Sequence, residues 1–327
     1  MLGLSSISPP RLAWPEKDVE DKKDGHGRCF KRNYKKVDGM AKHKYIIQKG
    51  WQGFCDRLQT TSYCISLAKM YNRILYIDWR DRIWTHDEKD FYSYFYLTDV
   101  EYITSFTTIP KDLSVYPSFW QDILNKPADD WVHSLKDYTN MHLEDWPYED
   151  VWVNNSVDYR RWDFDQLANV LRFKEEIAIE IAGMIRYKND RPIVHLRGTD
   201  KDFVFSQERF YMLAETYPDA YILSDDAELV EKWLEKNPDA VVLSDQLQKG
   251  KGGGHLRSAK ELQDIGTTKH QMNLRMLADF IMLASATEAY ELIEESAFFQ
   301  MARLFGKCGG CFKIFNFNDP DSVVKGI

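Results

Sequence analysis

The chain has no run of the roughly 18 uninterrupted apolar residues that a membrane span needs, so no integral membrane segment is expected. Its first residues, Met1-Leu-Gly-Leu-Ser-Ser-Ile-Ser-Pro-Pro, lack a basic stretch followed by a long apolar one, so no secretory leader is read there. Cysteine is scarce and odd in number: five in 327 residues favour a reduced compartment over a disulfide scaffold. These absences point to a cytoplasmic protein, or to a soluble one lacking an anchor. Positive charge is also in deficit. With 43 Lys and Arg against 51 Asp and Glu, the net charge is -8, which argues against a nucleic-acid partner and leaves room only for a local basic cleft. A Walker sequence is missing. Cys308-Gly-Gly-Cys311 has no second CxxC beside it, since Cys29, Cys55 and Cys64 supply none. It is read as two unpaired thiols at a tight turn, and no metal site is expected.

What the chain does have is length, aromatic residues and a repeated rhythm. Its 327 residues suit two domains better than one core. Its 10 Trp and 18 Tyr fit a large core first and sugar-stacking platforms second. Residues 1–42 are polar and include Pro9-Pro10, which reads as an N-terminal arm. Lys44–Gln48 reads as a strand, Leu58–Tyr71 as a helix and Arg73–Trp79 as a second strand, with a Gly-containing turn between the first two. That is a βαβ unit. Residues 80–160 are aromatic and irregular. The apolar spacing of Leu167, Val170, Leu171, Ile177, Ile181 and Ile185 predicts one long helix over Asp165–Tyr187. Asn189-Asp190-Arg191-Pro192 breaks it, and the domain boundary is placed there.

The second half repeats the α/β alternation. Strands are expected at Ile193–Leu196, Tyr221–Asp226 and Ala240–Asp245, the last two including their polar ends, and helices at Gln207–Tyr217, Ala227–Glu235, Leu274–Ser285 and Ser296–Phe305, with an apolar step at Ala289–Ile293. The fold class is therefore α/β. Each of the three strands runs from apolar into polar residues: His195 to Lys201, Ser224 to Asp226, and Ser244-Asp245. In open parallel sheets ligands bind at the C-terminal strand ends, so these stretches should converge on one crevice.

The residue types there suit a diphosphate. Arg197 offers a planar fork and Lys201 a point charge. His195 can donate to a phosphate or sugar oxygen, and Gly198 lets the backbone approach a ligand. Asp200 suits orienting Arg197 or capping the next segment. The alternative is a structural ion cluster at a strand end. Asp225-Asp226 before a helix reads first as an N-cap and second as a metal-binding carboxylate pair. Asp78-Trp-Arg-Asp81 reads as a strand-end turn, and Lys249–His255 as a mobile loop.

At His195-Leu-Arg197-Gly-Thr-Asp200-Lys201 the chain resembles the α-1,6-fucosyltransferases, the nodulation fucosyltransferases and the protein O-fucosyltransferases. Tyr221-Ile-Leu-Ser-Asp-Asp226, Ala278-Asp279 up to Ser296, and Gly50-Trp-Gln-Gly53-Phe-Cys-Asp-Arg57-Leu58 are similar to three further stretches of that superfamily. The resemblance implies a GT-B fold: two Rossmann-like domains, here residues 43–188 on the acceptor side and 189–327 on the nucleotide-sugar side. It implies GDP-fucose as donor, a glycan acceptor and no metal or other cofactor. By it, Arg197 holds the leaving diphosphate, Lys201 assists, and His195 and Asp225 touch the donor. Asp279 meets the guanine or its ribose, Ser296 meets a phosphate, and the Gly53 turn with Arg57 faces the cleft. Gly198 stands where the α-1,6 enzymes have a second arginine. Phe203-Val-Phe205 stands where they have an acid, so Asp202 or Glu208 is the expected base of an inverting transfer. Two alternatives remain: another nucleotide sugar (a rhamnose, xylose or galactose donor), and a sugar-nucleotide-binding module without catalysis.

Overall fold

The computed structural model describes residues 43–50, 53–86, 89–128, 148–155, 164–198, 207–245, 247, 256–293 and 296–308. The polar arm, the Lys249–His255 loop and Cys311 lie outside the described residues.

In chain order the elements are β1 (Tyr45–Lys49), α1 (Phe54–Tyr71), β2 (Ile74–Asp78), α2 (Phe91–Tyr94), β3 (Phe95–Leu97), β4 (Val115–Tyr116), β5 (Val151–Asn154), α3 (Phe164–Val170), β6 (Leu171–Phe173) and α4 (Glu175–Met184). They continue with β7 (Ile193–Leu196), α5 (Gln207–Thr216), β8 (Tyr221–Ser224), α6 (Ala227–Lys236), β9 (Val241–Val242), α7 (Ala259–Asp264), α8 (Lys269–Ser285), β10 (Ala289–Glu291) and α9 (Ala297–Cys308).

Two parallel sheets carry the fold. The first has the order β2-β1-β5-β4, the second β10-β7-β8-β9. β1 and β2 are buried along their whole length, as expected of parallel strands covered on both faces. The outer edge of β2 is closed by a bridge between Leu75 and Tyr102. α1 starts at Phe54, one turn before the apolar spacing suggests, and ends on Asn72 in the left-handed conformation (φ 50). β5 joins the first sheet from within the stretch that has no readable pattern. Arg73 fixes its start: its guanidinium lies 3.4 Å from the centroid of the Trp152 ring and donates to the carbonyls of Glu149 and Asp150.

The long helix expected over Asp165–Tyr187 does not form. The segment divides into α3, β6 and α4. Leu171-Arg172-Phe173 pairs antiparallel with Phe95–Leu97, and Phe173 packs on Phe95 with ring centroids 5.1 Å apart. The same apolar residues satisfy a helical period and a buried strand, and the cross-strand aromatic pair decides between them. The break before β7 is as expected. Asn189 takes the left-handed conformation (φ 54), and its side-chain Oδ1 accepts from Tyr187 Oη at 2.6 Å and from Thr287 N at 3.0 Å.

The second sheet alternates faces with period 2. Val194, Leu196 and Ile222 point to a core under α5 and α6 that is centred on Trp233. Ile193, Tyr221 and Leu223 point to the larger core, which α8 and α9 share with α1, α3 and α4. That larger core runs without a break from Ile46 to Phe305. α8 begins five residues before the expected Leu274, because Thr268 and Gln271 form a capping box at its start.

Candidate functional site at the strand tips

The polar ends of the second sheet do converge, through one run of hydrogen bonds. Ser224 Oγ donates to the Leu196 carbonyl at 2.6 Å, tying β8 to β7. The Ser224 amide donates to Ser244 Oγ at 2.9 Å, tying β8 to the segment after β9. Ser244 Oγ donates to Asp279 Oδ2 at 2.9 Å, tying that segment to α8. Asp225 and Asp226 divide their work. Asp225 Oδ1 accepts from the Gly198 amide at 3.1 Å. Asp226 is the N-cap of α6 and accepts from Glu228 N and Leu229 N.

Gly198 is demanded by this arrangement. A Cβ there would lie 2.2 Å from Asp226 Oδ2 and 2.8 Å from Leu229 Cδ1. A second arginine is therefore excluded by the α6 cap. Gly198→Ala is expected to lower stability by about 1–3 kcal/mol through overpacking and a disturbed cap, read as a fall in Tm. An unchanged Tm would show that the strand end yields without cost.

Arg197 follows the last residue of β7 and is half-buried. Its guanidinium acts on the Cys55 thiol, which burial otherwise pushes far above its ordinary range. A run of rings links the first turn of α1 to β7: Phe54 packs on Phe280 and Phe280 on Phe298, each at 5.3 Å between centroids, and Phe298 on His195 at 5.8 Å. At that turn Gly53 is the N-cap and offers no side-chain cap to the helix amides. Amides at a helix start together with a guanidinium make a setting for an anion. Arg57, four residues on, is 1% exposed, and its fork is engaged by Asp81 through two bonds of 2.6 Å. The pair ties the first turn of α1 to the segment after β2. Gly50 is needed for this, since a Cβ there would lie 2.3 Å from Arg57 Nη1. Asp78 in turn bonds Lys49 at 2.6 Å and Arg80 at 2.7 Å, so both acids of Asp78-Trp-Arg-Asp81 serve the strand end, as expected.

His195 is buried, with its ring facing Phe298 and Phe299 at centroid distances of 5.8 and 6.2 Å. Ser296 is buried beside them. Its amide donates to Glu291 Oε2 at 3.2 Å, and its hydroxyl lies 3.5 Å from Phe299 N. Glu291, which also accepts from Gln300 Nε2 at 2.6 Å, is a site-lining acid that sequence reasoning missed. It closes an apolar step and carried no motif. Glu208 is exposed in the first turn of α5. Asp200, Lys201 and Asp202 lie outside the described residues. Of the tryptophans in residues 80–160 that could stack a sugar, Trp84, Trp120 and Trp152 are core residues, and Trp131 and Trp146 lie outside the described residues. Among the described residues no three His, Cys, Asp or Glu gather as a metal-ligand set, and no helix is long and apolar enough to cross a membrane.

Asp279 is half-buried on α8. Burial pushes its carboxyl up to about 7, with the Asp245 and Asp225 carboxylates adding to the effect and Ser244 and Arg275 opposing it. The folded value exceeds the ordinary 3.8, so between the two the native state holds the extra proton. Its contribution to stability is present at low pH and is lost as pH rises through the folded value. Asp279→Asn is expected to remove that slope, so the variant gains Tm on the parent at pH 8 and matches it near pH 4. Calorimetry at the two pH values checks this, and equal Tm differences at both would contradict a raised carboxyl.

No family model and no curated protein matches the chain. Solved structures do. The crystal structure of the fucosyltransferase NodZ from Bradyrhizobium matches with a TM-score of 0.56 and 16% identity, over 81% of this chain and 94% of that one. NodZ α-1,6-fucosyltransferase co-crystallised with GDP matches with a TM-score of 0.55 and 16% identity, over 81% and 93%. NodZ soaked with GDP-fucose matches with a TM-score of 0.54 and 18% identity, over the same shares. The chain shares the α/β fold of these structures.

Proposed function

We propose that the chain is a glycosyltransferase of GT-B architecture that moves L-fucose from GDP-fucose to a hydroxyl of a glycan acceptor. The observation that carries this reading is the position of Arg197. It sits at the tip of β7 and its charge reaches Cys55 in the first turn of α1, in a fold shared with structures co-crystallised with GDP and soaked with GDP-fucose. Glycosyl transfer builds negative charge on a departing diphosphate while the sugar passes through an oxocarbenium-like state. A guanidinium and helix-start amides placed on that oxygen stabilise charge that grows in the transition state. Lys201 adds a second cation. In this reading the chain supplies its own compensation for the leaving group and needs no metal. Asp279 meets the nucleoside, Asp225 holds the Gly198 backbone in place for the donor, and His195 on β7 and Ser296 just before α9 line the donor side. Asp202 or Glu208 takes the proton of the acceptor hydroxyl in an inverting displacement. The acceptor lies on the side of the first sheet.

A donor screen by thermal shift, with EDTA present throughout, tests the reading. GDP, UDP, dTDP and CMP are compared, then the matching sugar nucleotides. A ligand at about 100 times its Kd adds roughly 2.7 kcal/mol. Stabilisation by GDP and turnover of GDP-fucose are the expected results. A shift with UDP alone keeps the fold's use and discards fucose. Binding with no turnover of any donor, water included as acceptor, makes the chain a binding module. No shift with any nucleotide refutes the donor site.

A further inference from the structure

The hydrogen bonds across the strand tips of the second sheet have a readable direction. The Ser224 amide can only donate, so Ser244 Oγ accepts from it at 2.9 Å. The single Ser244 hydroxyl proton then goes to its other partner, Asp279 Oδ2, at 2.9 Å. Oδ2 is an acceptor in the resting protein. Ser244 is 6% exposed and is anchored by a backbone amide of β8, so its rotamer is set by the sheet and not by solvent. The two groups come from different elements and are 35 residues apart.

We propose that Ser244 is a positioning residue for donor capture: by occupying Oδ2 of Asp279, it fixes which carboxylate oxygen meets the nucleoside. The proposal rests on the reading of Asp279 as the nucleoside contact. Oδ1 is the oxygen left for the ligand. Ionised, it accepts N–H groups such as those on the edge of a guanine ring. With a proton on Oδ1 it becomes a donor and loses that match. The groups facing the carboxyl are unbalanced. Asp225 beyond β8 and Asp245 beyond β9 press it toward the neutral form, while Arg275 on α8 and the Ser244 hydroxyl press it toward the charged form. Burial already brings it to about 7. Loss of the Ser244 proton therefore moves the balance where it matters, in the neutral range.

The test is a 13C NMR titration of the Asp279 carboxyl in the full chain, with Asp279→Asn for assignment, run beside GDP affinity from pH 6 to 8.5. Ser244→Ala is expected to raise the midpoint by about one pH unit and to weaken GDP binding about tenfold at pH 6.5. The loss shrinks toward pH 8.5, where the carboxyl is ionised in either protein. Ser244→Thr keeps the hydroxyl and is expected to restore both readings. A loss of affinity equal at every pH is what a merely structural lesion at Ser224 gives, and it overturns the proposal. So does an unmoved midpoint. Should Ser244→Ala not fold, the parent and Ser244→Thr carry the test, and a parent midpoint in the ordinary carboxylate range refutes it. If Asp279→Asn binds GDP as the parent does at all pH values, the nucleoside reading fails instead. That outcome removes the ligand side of the proposal, while the midpoints still report whether Ser244 controls the carboxyl.

Discussion

Asp81→Ala is expected to destabilise the protein by about 3–5 kcal/mol, because it removes one partner of a buried ion pair and leaves the other charged. Both side chains of the Arg57–Asp81 pair are fully buried, and the two bonds are 2.6 Å each. Asp81 Oδ1 also accepts from Ile83 N at 2.9 Å, so the substitution removes that amide's acceptor, while Trp84 N, 3.3 Å from Oδ1, keeps its bond to the Asp81 carbonyl at 3.2 Å. Replacing the whole pair with apolar residues behaves differently. Arg57→Met with Asp81→Leu is expected to recover most of the loss, since the desolvation of both charges is relieved together. Tm and urea unfolding of the two variants measure this. A single variant within 1 kcal/mol of the parent would mean that water reaches the pair. The effect reaches function through position. Arg57 belongs to the first turn of α1, whose N-cap is Gly53, so, on the proposed function, Asp81→Ala is also expected to weaken nucleotide binding at temperatures where the protein is still folded.

Arg197→Ala is expected to lower transfer from GDP-fucose by about 10²–10³-fold while shifting stability by less than 1 kcal/mol. A donor aimed at charge that develops in the transition state has an effect of that size when removed. The small stability change follows from its half-buried place past the strand end. Arg197→Lys keeps the charge and loses the fork, so it is expected to recover part of the binding and little of the rate. Turnover, GDP affinity and Tm measured on the three proteins separate these effects. Unchanged turnover in Arg197→Ala would remove the leaving-group role. A large fall in Tm would return the residue to a structural ion cluster.

How much of this was legible varied along the chain for physical reasons. The second sheet could be read almost element by element, because β7 and β8 are short apolar runs ended by polar residues, the pattern of a parallel strand with a ligand edge. Asp226 announced the start of α6 by residue type, and Asn189 before Pro192 announced the end of the preceding segment. The middle of the chain was different. β4 has two residues and β5 four, of which one is Trp and one Asn. Such strands are held by their neighbours and have no period of their own. β6 was hidden inside a helical pattern, since Leu171 and Phe173 fit both periods until Phe95 is placed opposite.

The candidate site divides in the same way. Arg197 and Asp225 were visible as residue types at strand ends, because polar groups after an apolar run are costly unless they are used or capped, whereas Asp279, inside α8, stood out only through the family resemblance. Arg57 looked like a ligand contact. The folded chain turns its fork to Asp81, since a buried guanidinium takes the carboxylate nearest in space, and that carboxylate is 24 residues away in sequence. Glu291 has no local signature and matters because Ser296 and Gln300 fold back onto it. Local chemistry along the chain thus settled the α/β class, the caps and the strand-tip residues, where one residue's preference suffices. Long-range packing settled the register of β5 and β6, the partner of Arg57 and the Ser244 bond that orients Asp279, because each depends on which distant group arrives within 3 Å.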